Sequence, residues 1–322
     1  MNAPLPLADL FQALADPSRL RLLALLKEME LTVGELAQVL GQSQPRVSRH
    51  LKILADARLI ERRKEGSWVF LQLGEPALVD ALVALWDAVD DPVSNRQFAA
   101  DRARLAAVRS DRAEAAARYF TAHAAQWDQI RSLHVAESQV EAAIREALGD
   151  GPIGQLVDIG TGTGRMIELF GSAATRSIGI DRSTEMLRLA RVKLEEAGVE
   201  AVSLRQGDMY ALPLPDEEAD VVLLHQVLHY AHSPAAAIAE GARLLRPGGR
   251  LLIIDFAPHE REELRETAQH ARLGFADDSV IGWLSGAGLD GKVVRHLEGG
   301  ELTVTLWAGV RPARHDHERR AA

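Results

Sequence analysis

Cysteine is absent from this sequence of 322 residues. Its absence excludes disulfide bonds, cysteine-ligated zinc sites and cysteine nucleophiles, and it suits a reducing compartment. The most apolar runs, such as Leu20–Leu26 and Val221–Leu224, are far too short to span a bilayer. Met1–Leu10 has no basic segment followed by an apolar one, which is the pattern of a signal peptide. We therefore expect a cytoplasmic protein without a membrane partner.

Positive charge is in deficit overall, since 37 Lys and Arg face 46 Asp and Glu for a net charge of −9. The stretch from Gln42 to Phe70 reverses this balance, with seven Lys or Arg against three Asp or Glu. Local fields, rather than the total charge, steer a polyanion towards a protein. A basic stretch alone is more often a solvated face, so its meaning depends on the structure around it.

The length favours two domains, and the hydrophobic pattern changes between the two halves of the chain. The first 90 residues are typical of short helices with one hairpin. The predicted elements are a helix starting at Asp16-Pro17, a helix Val33–Leu40 with a Thr32–Glu35 capping box, a helix capped by Ser43, a hairpin Glu61–Leu73 turning at Glu65-Gly66, and a helix Pro76–Val89. Asn95–Arg118 is then predicted as a solvated connecting helix.

Two helices joined by a tight turn and followed by a basic hairpin define a winged helix-turn-helix. Its second helix can enter the major groove of DNA. The residues it would present are Gln42, Ser43, Gln44, Arg46, Ser48, Arg49 and His50. Gln44 and Arg46 suit base edges, whereas Ser48 and Arg49 equally suit phosphates. The hairpin adds Arg62, Arg63 and Lys64, which would contact the DNA backbone or the minor groove.

This half of the chain resembles the ArsR-type repressors over roughly residues 7–90. The resemblance is carried by Ala13–Leu23 and by Leu36–Lys52. It implies a homodimer, joined through the first and last helices, that binds a twofold-symmetric double-stranded operator. Metal-sensing members place Cys, His or carboxylate ligands on helices that correspond to Glu35–Leu40 and Pro76–Val89, and neither stretch holds Cys or His. We therefore expect no metal site on those helices. The alternative to DNA binding is a winged helix used only for protein contacts.

From Gln155 onward, short β-rich runs alternate with helical segments. The runs are Leu156–Ile159, Arg176–Ile180, Val202–Arg205, Val221–Leu224 and Arg250–Ile254. That alternation predicts a Rossmann-like α/β domain with a mostly parallel sheet and helices on both faces. The whole chain is thus predicted to be a mainly-α winged helix-turn-helix followed by an α/β domain.

A glycine-rich turn follows the first of these strands. Gly160, Gly162 and Gly164 allow a tight turn and a close approach of ligand to backbone, but a lone glycine pattern is weak evidence. Further polar residues follow the next strands. Asp181 can accept hydrogen bonds from both hydroxyls of a ribose, and Asp208 can accept one from an adenine amino group, with Met209 against the ring.

Together these residues resemble the class I S-adenosylmethionine-dependent methyltransferases over about residues 119–310. Dinucleotide dehydrogenases are the rival interpretation, but they favour G-x-G-x-x-G rather than the G-x-G-x-G found here behind Asp158. The resemblance places Asp158 near the amino-acid moiety of the donor, S-adenosylmethionine or S-adenosylhomocysteine. The predicted cofactor site comprises Asp158, Gly160, Thr161, Gly162, Gly164, Asp181, Arg182, Asp208, Met209 and His225. Tyr119–Asp128 resembles the helix that covers the donor, although a packing role is equally compatible.

Histidines follow the fourth strand, where such a domain accepts its substrate. His225 and His229 are the candidate general bases, while a role in holding the donor or the loop is the alternative. Leu223–Gln226 replaces the Asn/Asp-Pro-Pro-aromatic motif of enzymes that methylate amino groups, so a small-molecule acceptor is favoured.

The predicted division of the chain into domains is 1–91 winged helix, 92–118 connecting helix, 119–310 methyltransferase fold and 311–322 flexible tail.

Two functional hypotheses follow from this organisation. In the first, a transcriptional repressor senses the methyl donor or its spent product through the second domain. In the second, the protein is mainly an active small-molecule methyltransferase whose DNA-binding domain is autoregulatory.

Overall fold

The computed structural model describes residues 6–65, 68–89, 91–123, 137–149, 151–298 and 300–313. The chain divides into two compact units, Met1–Glu114 and Ala115–Ala322. Among the described residues, none of the helices combines the length and the apolar character needed to cross a membrane.

The first unit contains the predicted helices and hairpin. Its elements are α1 (Leu7–Leu14), α2 (Pro17–Glu28), β1 (Leu31–Thr32), α3 (Val33–Leu40), α4 (Gln44–Asp56), β2 (Ile60–Glu65), β3 (Trp68–Leu73), α5 (Pro76–Ala88) and the start of α6 (Pro92–His123). The three strands form an antiparallel sheet in the order β1-β3-β2. The turn at Gly66 lies outside the described residues. Leu22, Leu36 and Leu51 pack together in the core of this unit.

Local capping explains where these helices begin and end. Asp16 accepts hydrogen bonds from the backbone N–H groups of Ser18 and Arg19, and Pro17 occupies the first helical position of α2. The Thr32–Glu35 capping box is present, which confirms that prediction. Ser43 stands at the N-terminal cap of α4, but its side chain makes no capping hydrogen bond. The prediction that Ser43 caps this helix was therefore right in position and wrong in mechanism.

The connecting helix is longer and better packed than the sequence predicted. It runs over Pro92–His123, and Phe98, Asp101, Leu105 and Val108 are buried in it. Leu105 and Val108 join the core of the first unit, and the ring of Phe98 lies 4.8 Å from that of Trp86. The prediction of a solvated helix was therefore wrong for the first half of α6. Among its alanines and arginines, apolar residues form a stripe that packs on the core.

The second unit is built on a seven-stranded sheet, which confirms the predicted Rossmann-like fold. Its elements are α7 (Glu137–Leu148), β4 (Gly154–Ile159), α8 (Arg165–Phe170), β5 (Ala174–Asp181), α9 (Thr184–Glu196), β6 (Val202–Gln206), β7 (Ala219–His225), α10 (Pro234–Arg243), β8 (Leu245–Phe256), α11 (Glu263–Thr267), α12 (Asp277–Gly286), β9 (Asp290–Leu297) and β10 (Val304–Val310). The strand order is β6-β5-β4-β7-β8-β10-β9.

Strand direction decides where a ligand can bind in this sheet. The strands β4, β5, β6, β7 and β8 run parallel, while β10 is antiparallel to both of its neighbours. The carboxyl ends of the parallel strands therefore meet at one edge, where such folds bind ligands.

The end of β10 is anchored beyond the predicted domain boundary. The N–H of Arg311 donates to the carbonyl of Gly249, and its own carbonyl accepts from the N–H of Gly248, each at 2.9 Å. Arg311 thus continues the pairing of β10 instead of starting the predicted tail. The rest of that predicted tail, residues 314–322, lies outside the described residues.

Candidate functional site

The glycine turn joins β4 to α8 at the carboxyl edge of the sheet. All three of its glycines have left-handed backbone angles, with φ of +71° at Gly160, +54° at Gly162 and +84° at Gly164. A Cβ on Gly160 would also overlap the side chain of Val227, which follows β7. The turn therefore needs glycine for its conformation and, at Gly160, for the packing of the neighbouring loop.

Three hydrogen bonds tie the start of this turn to β4 and β5. The N–H groups of Gly160 and Thr161 donate to the carbonyl of Ile180 at 2.7 and 3.0 Å, which fixes the turn to the end of β5. The hydroxyl of Thr161 donates to Oδ2 of the buried Asp158 at 2.6 Å. Asp158 thus organises the turn from inside, in addition to the donor contact that the sequence predicted for it.

Asp181 ends β5 and faces the turn. Its Oδ2 accepts from the N–H of Gly162 at 2.9 Å, and its Oδ1 accepts from the N–H of Ser183 at 2.8 Å. Burial raises the pKa of Asp181, and these backbone hydrogen bonds act against that increase. An ionised carboxylate has about four acceptor positions, so each oxygen retains capacity for a ribose hydroxyl.

The end of β6 brings the next predicted residues to the same edge. The N–H of Gly207 donates to the carbonyl of Asp181 at 3.1 Å, so the two strand ends are joined directly. Asp208 and Arg182 are more exposed than the turn itself, whereas Met209 is half-buried against the core. The structure therefore places Asp158 and Asp181 near the carboxyl ends of adjacent parallel strands, with Asp208 and Met209 just past the end of the next strand, β6, at the edge where such folds bind ligands.

The segment after β7 carries the predicted histidines. His225 ends β7 and is buried, and Gln226 has a left-handed φ of +50°. The N–H of Gln226 donates to the carbonyl of Ile254 at 2.7 Å, which ties this strained residue to β8. Strained non-glycine residues cluster at functional sites, and no local motif in the sequence pointed to this one.

His229 is paired with a carboxylate that the sequence analysis missed. Its Nδ1 lies 2.8 Å from Oδ1 of Asp255, and both side chains are almost fully buried. Asp255 also accepts from the backbone N–H groups of His229 and Phe256. An acidic residue that ends the apolar run of β8 was the available signal, because a carboxylate at a strand end lies at the ligand edge.

Aromatic rings surround His229, and Arg272 holds the backbone of the segment that carries it. The ring of His229 lies 4.0 Å from Tyr230, 4.2 Å from His270 and 5.0 Å from Phe256, measured between centroids. Arg272 donates from its backbone N–H to the carbonyl of His229 and from Nη2 to that of His232, each at 3.0 Å. The ring of His229 is thus buried and enclosed by these side chains.

The helix α4 presents the predicted DNA-reading residues in two groups. Those exposed on its surface are Ser43, Gln44, Arg46, Ser48 and Arg49. Gln42 and His50 are half-buried: Nε2 of Gln42 donates to Oγ of Ser18 at 3.1 Å, and Nδ1 of His50 lies 4.0 Å from Oδ1 of Asp16. The side chains of Gln42 and His50 therefore contact residues at the start of α2. Their contact with DNA stays a prediction.

The predicted wing cations also differ in exposure. Arg62 and Lys64 are exposed on β2, whereas Arg63 points to the other face of the strand. There its Nη2 lies 2.8 Å from Oε2 of Glu30, and its guanidinium stacks on Phe70 at 5.6 Å. Arg63 thus has partners within the first unit, and its predicted contact with the DNA backbone or the minor groove stays a prediction.

Comparison with known proteins agrees with both halves of this description. Residues 16–62 match the family model of bacterial regulatory proteins of the arsR family, and residues 157–253 match a methyltransferase domain. The chain therefore joins an ArsR-family helix-turn-helix region to a methyltransferase domain, as the sequence motifs predicted.

Relatives of known sequence match only part of this chain. An uncharacterized methyltransferase of Bacillus subtilis is 33% identical over 36% of this chain and 46% of its own length. A phosphatidylethanolamine N-methyltransferase of Cereibacter sphaeroides is 35% identical over 41% of this chain and 64% of its own. A demethylmenaquinone methyltransferase of Deinococcus radiodurans is 34% identical over 47% and 64%, respectively. The chain thus spans roughly half the length of such relatives.

A solved structure from Thermotoga maritima shares the fold. It is described as a methyltransferase dependent on S-adenosylmethionine and a possible histamine N-methyltransferase. It is 22% identical, has a TM-score of 0.50 and covers 61% of this chain and 99% of its own. At this identity, the likeness concerns the fold alone.

Proposed function

We propose that this protein is a DNA-binding transcriptional repressor whose second unit binds S-adenosylmethionine or S-adenosylhomocysteine, and that the bound ligand changes its affinity for DNA. The observation that carries the proposal is the joining of two formed sites in one chain. An exposed polar face of α4 suits the major groove, and the glycine turn with Asp181 suits the donor. A ligand can regulate DNA binding only if its affinity differs between the DNA-binding and non-binding states.

The DNA contacts follow from the exposed residues of the first unit. Gln44 and Arg46 at the start of α4 address base edges, and Ser48 and Arg49 hold phosphates. Arg62 and Lys64 on the wing add backbone contacts, which make binding sensitive to salt.

The protein binds DNA as a homodimer in this proposal. Large apolar side chains are exposed on the first helix, with Leu7 at 66% and Phe11 at 55%, and around the start of α6, with Val93 at 68%. Apolar surface of this kind is covered in a stable assembly. A twofold dimer would bind two symmetric half-sites of an operator. Sedimentation equilibrium should give a dimer, and Phe11→Glu should shift it towards monomer.

The test of regulation is a DNA-binding titration with each ligand. An operator is first selected from a random-sequence duplex pool by the full chain, and its affinity is then measured with no ligand, with S-adenosylmethionine and with S-adenosylhomocysteine. We expect at least one ligand to change the affinity by about fivefold or more, the lower end of typical allosteric coupling. Equal affinities at saturating ligand would refute the sensor function and leave ligand binding itself intact.

Catalysis of methyl transfer to a small molecule is the second candidate function. The buried pair of His229 and Asp255 motivates it, because a carboxylate that holds Nδ1–H leaves Nε2 as the basic atom of the ring, and an acceptor would have to displace the rings that now enclose it. Methyl transfer requires mainly alignment and exclusion of water, so such a base assists only a protic acceptor. Incubation with labelled donor and a metabolite extract tests it, and absence of any acceptor-dependent product despite measured donor binding would count against it.

A further inference from the structure

A buried ion pair joins α6 to the helix-turn-helix. The carboxylate of Asp101, on α6, is 2% exposed and receives Nε of Arg21 at 2.6 Å and Nη2 of Arg21 at 2.7 Å. This is the bidentate geometry in which both oxygens face the guanidinium fork. Loss of Asp101 would leave Arg21 as an uncompensated buried charge.

The same network reaches the end of α3. Nη2 of Arg21 lies 3.5 Å from the carbonyl of Leu40, and Nη1 of Arg104 lies 3.5 Å from that of Val39. Arg104 is itself bound to Oδ1 of Asp101 at 2.9 Å. The last carbonyls of a helix carry partial negative charge and lack intrahelical partners, so two guanidinium groups there are favourable.

The turn that follows those carbonyls orients the DNA-reading helix. Gly41 takes the left-handed conformation with φ of +64° and ends α3, and α4 begins three residues later at Gln44. The position of the last turn of α3 therefore sets the position from which α4 starts. Asp101 lies sixty residues further along the chain, on a helix that continues to His123 beyond the end of the first unit at Glu114.

We infer that Asp101 is a positioning residue for DNA binding: through Arg21 and Arg104 it fixes the end of α3 against α6 and so sets the orientation of α4. This inference rests on the proposed role of α4 in binding DNA. A movement of α6 along or around its axis would displace the carboxylate of Asp101 relative to the guanidinium groups of Arg21 and Arg104. The network thereby makes the geometry of the DNA-reading helix dependent on the position of α6.

An exposed ion pair between α6 and α2 supplies a matched control. Nη1 of Arg102 lies 3.9 Å from Oε1 of Glu28 at the end of α2, with the two side chains 59% and 37% exposed. Arg102 neighbours Asp101 in sequence, but its pair with Glu28 lies away from the end of α3. Exposed pairs of this geometry contribute little to stability.

The experiment compares Asp101→Asn with Arg102→Gln in the full chain. The probes are hydrogen–deuterium exchange along the chain and the affinity for a duplex selected from a random pool by the wild-type protein. For Asp101→Asn we expect faster exchange centred on residues 38–50 and at least tenfold weaker DNA binding, with unchanged affinity for S-adenosylhomocysteine. Arg102→Gln should stay within twofold of wild type in each measurement.

A double replacement separates positioning from stability. Arg21→Met with Asp101→Leu removes both buried charges, so it should recover thermal stability lost by Asp101→Asn. We expect DNA affinity to remain low in this variant, because the contact of Arg21 with the carbonyl of Leu40 is absent and Arg104 loses the carboxylate that holds it beside the carbonyl of Val39. Recovery of DNA affinity together with stability, or unchanged exchange at 38–50 in Asp101→Asn, would overturn the inference. If the wild-type protein selects no duplex, the proposed DNA binding fails, while the exchange data still decide the role of Asp101.

Discussion

The carboxylate of Asp181 accepts a hydrogen bond from the backbone N–H of Gly162, with 2.9 Å between the two heavy atoms. This bond links the end of β5 to the centre of the glycine turn. The residue predicted to bind the ribose therefore also holds the glycine turn in place. Loss of this carboxylate would affect the ligand directly and through the turn.

The first prediction concerns Gly160. Gly160→Ala places a side chain at φ of +71° and against Val227, so we expect a loss of about 2 kcal/mol in unfolding free energy and weaker donor binding. Gly198→Ala is the control, because Gly198 has φ of +66° and a Cβ added there would meet nothing within 4 Å. Urea unfolding should show the larger loss for Gly160→Ala, and equal losses would show that Val227 does not restrict the site.

The second prediction concerns the buried pair of His229 and Asp255. Asp255→Asn removes the charge that holds Nδ1 of His229 and replaces one acceptor oxygen with a donor facing other donors. We expect a loss of about 3 kcal/mol in unfolding free energy, since buried hydrogen-bond donors lose their charged acceptor. Glu185→Gln, which breaks the exposed pair with Arg188, should cause no measurable change. A stability near wild type in Asp255→Asn would contradict the assigned pairing.

The third prediction concerns Tyr210, whose hydroxyl accepts from the N–H groups of His232 at 2.9 Å and Ser233 at 3.3 Å. Burial raises the pKa of Tyr210 to about 12. In an absorbance titration, one of the three tyrosines should therefore ionise last, and Tyr210→Phe should remove that step. The variant should also lose about 1–3 kcal/mol, because two backbone donors lose their acceptor. An unchanged titration in Tyr210→Phe would contradict the assignment.

The fourth prediction is a pH dependence of donor binding. Burial raises the pKa of Asp181, and its ionised form is the better acceptor for ribose hydroxyls. The affinity for the donor should therefore fall as the pH decreases, and the fall should start at a higher pH than it would for an exposed aspartate. Calorimetry on wild type and Asp181→Asn measures this, and the variant should bind more weakly with a flatter profile. Parallel profiles for both proteins would assign the dependence to another group.

The local signals in the sequence predicted most of the fold. Proline at the start of α2, the capping box of α3 and the glycine at its end are interactions within a few residues, so they can be read from spacing alone. The mostly parallel direction of the strands also follows, and with it the positions of Asp158, Asp181 and Asp208, because parallel strands place their carboxyl ends at one edge.

Contacts between distant residues could not be predicted in the same way. Arg21 pairs with Asp101, eighty residues away, and His229 pairs with Asp255, twenty-six residues away. Both pairs depend on which helix faces or strand ends meet in three dimensions. The partners of Arg63 could not be predicted for a related reason, since Glu30 and Phe70 belong to other parts of the chain.

Isothermal titration calorimetry of Asp181→Ala tests the central claim most directly. The wild-type chain should bind S-adenosylmethionine and S-adenosylhomocysteine at one site, and Asp181→Ala should weaken both at least tenfold without loss of fold. Glu185→Ala, on the exposed first turn of α9, should leave both affinities unchanged. Equal ligand affinities in wild type and Asp181→Ala would contradict the assignment of this edge of the sheet as the donor site.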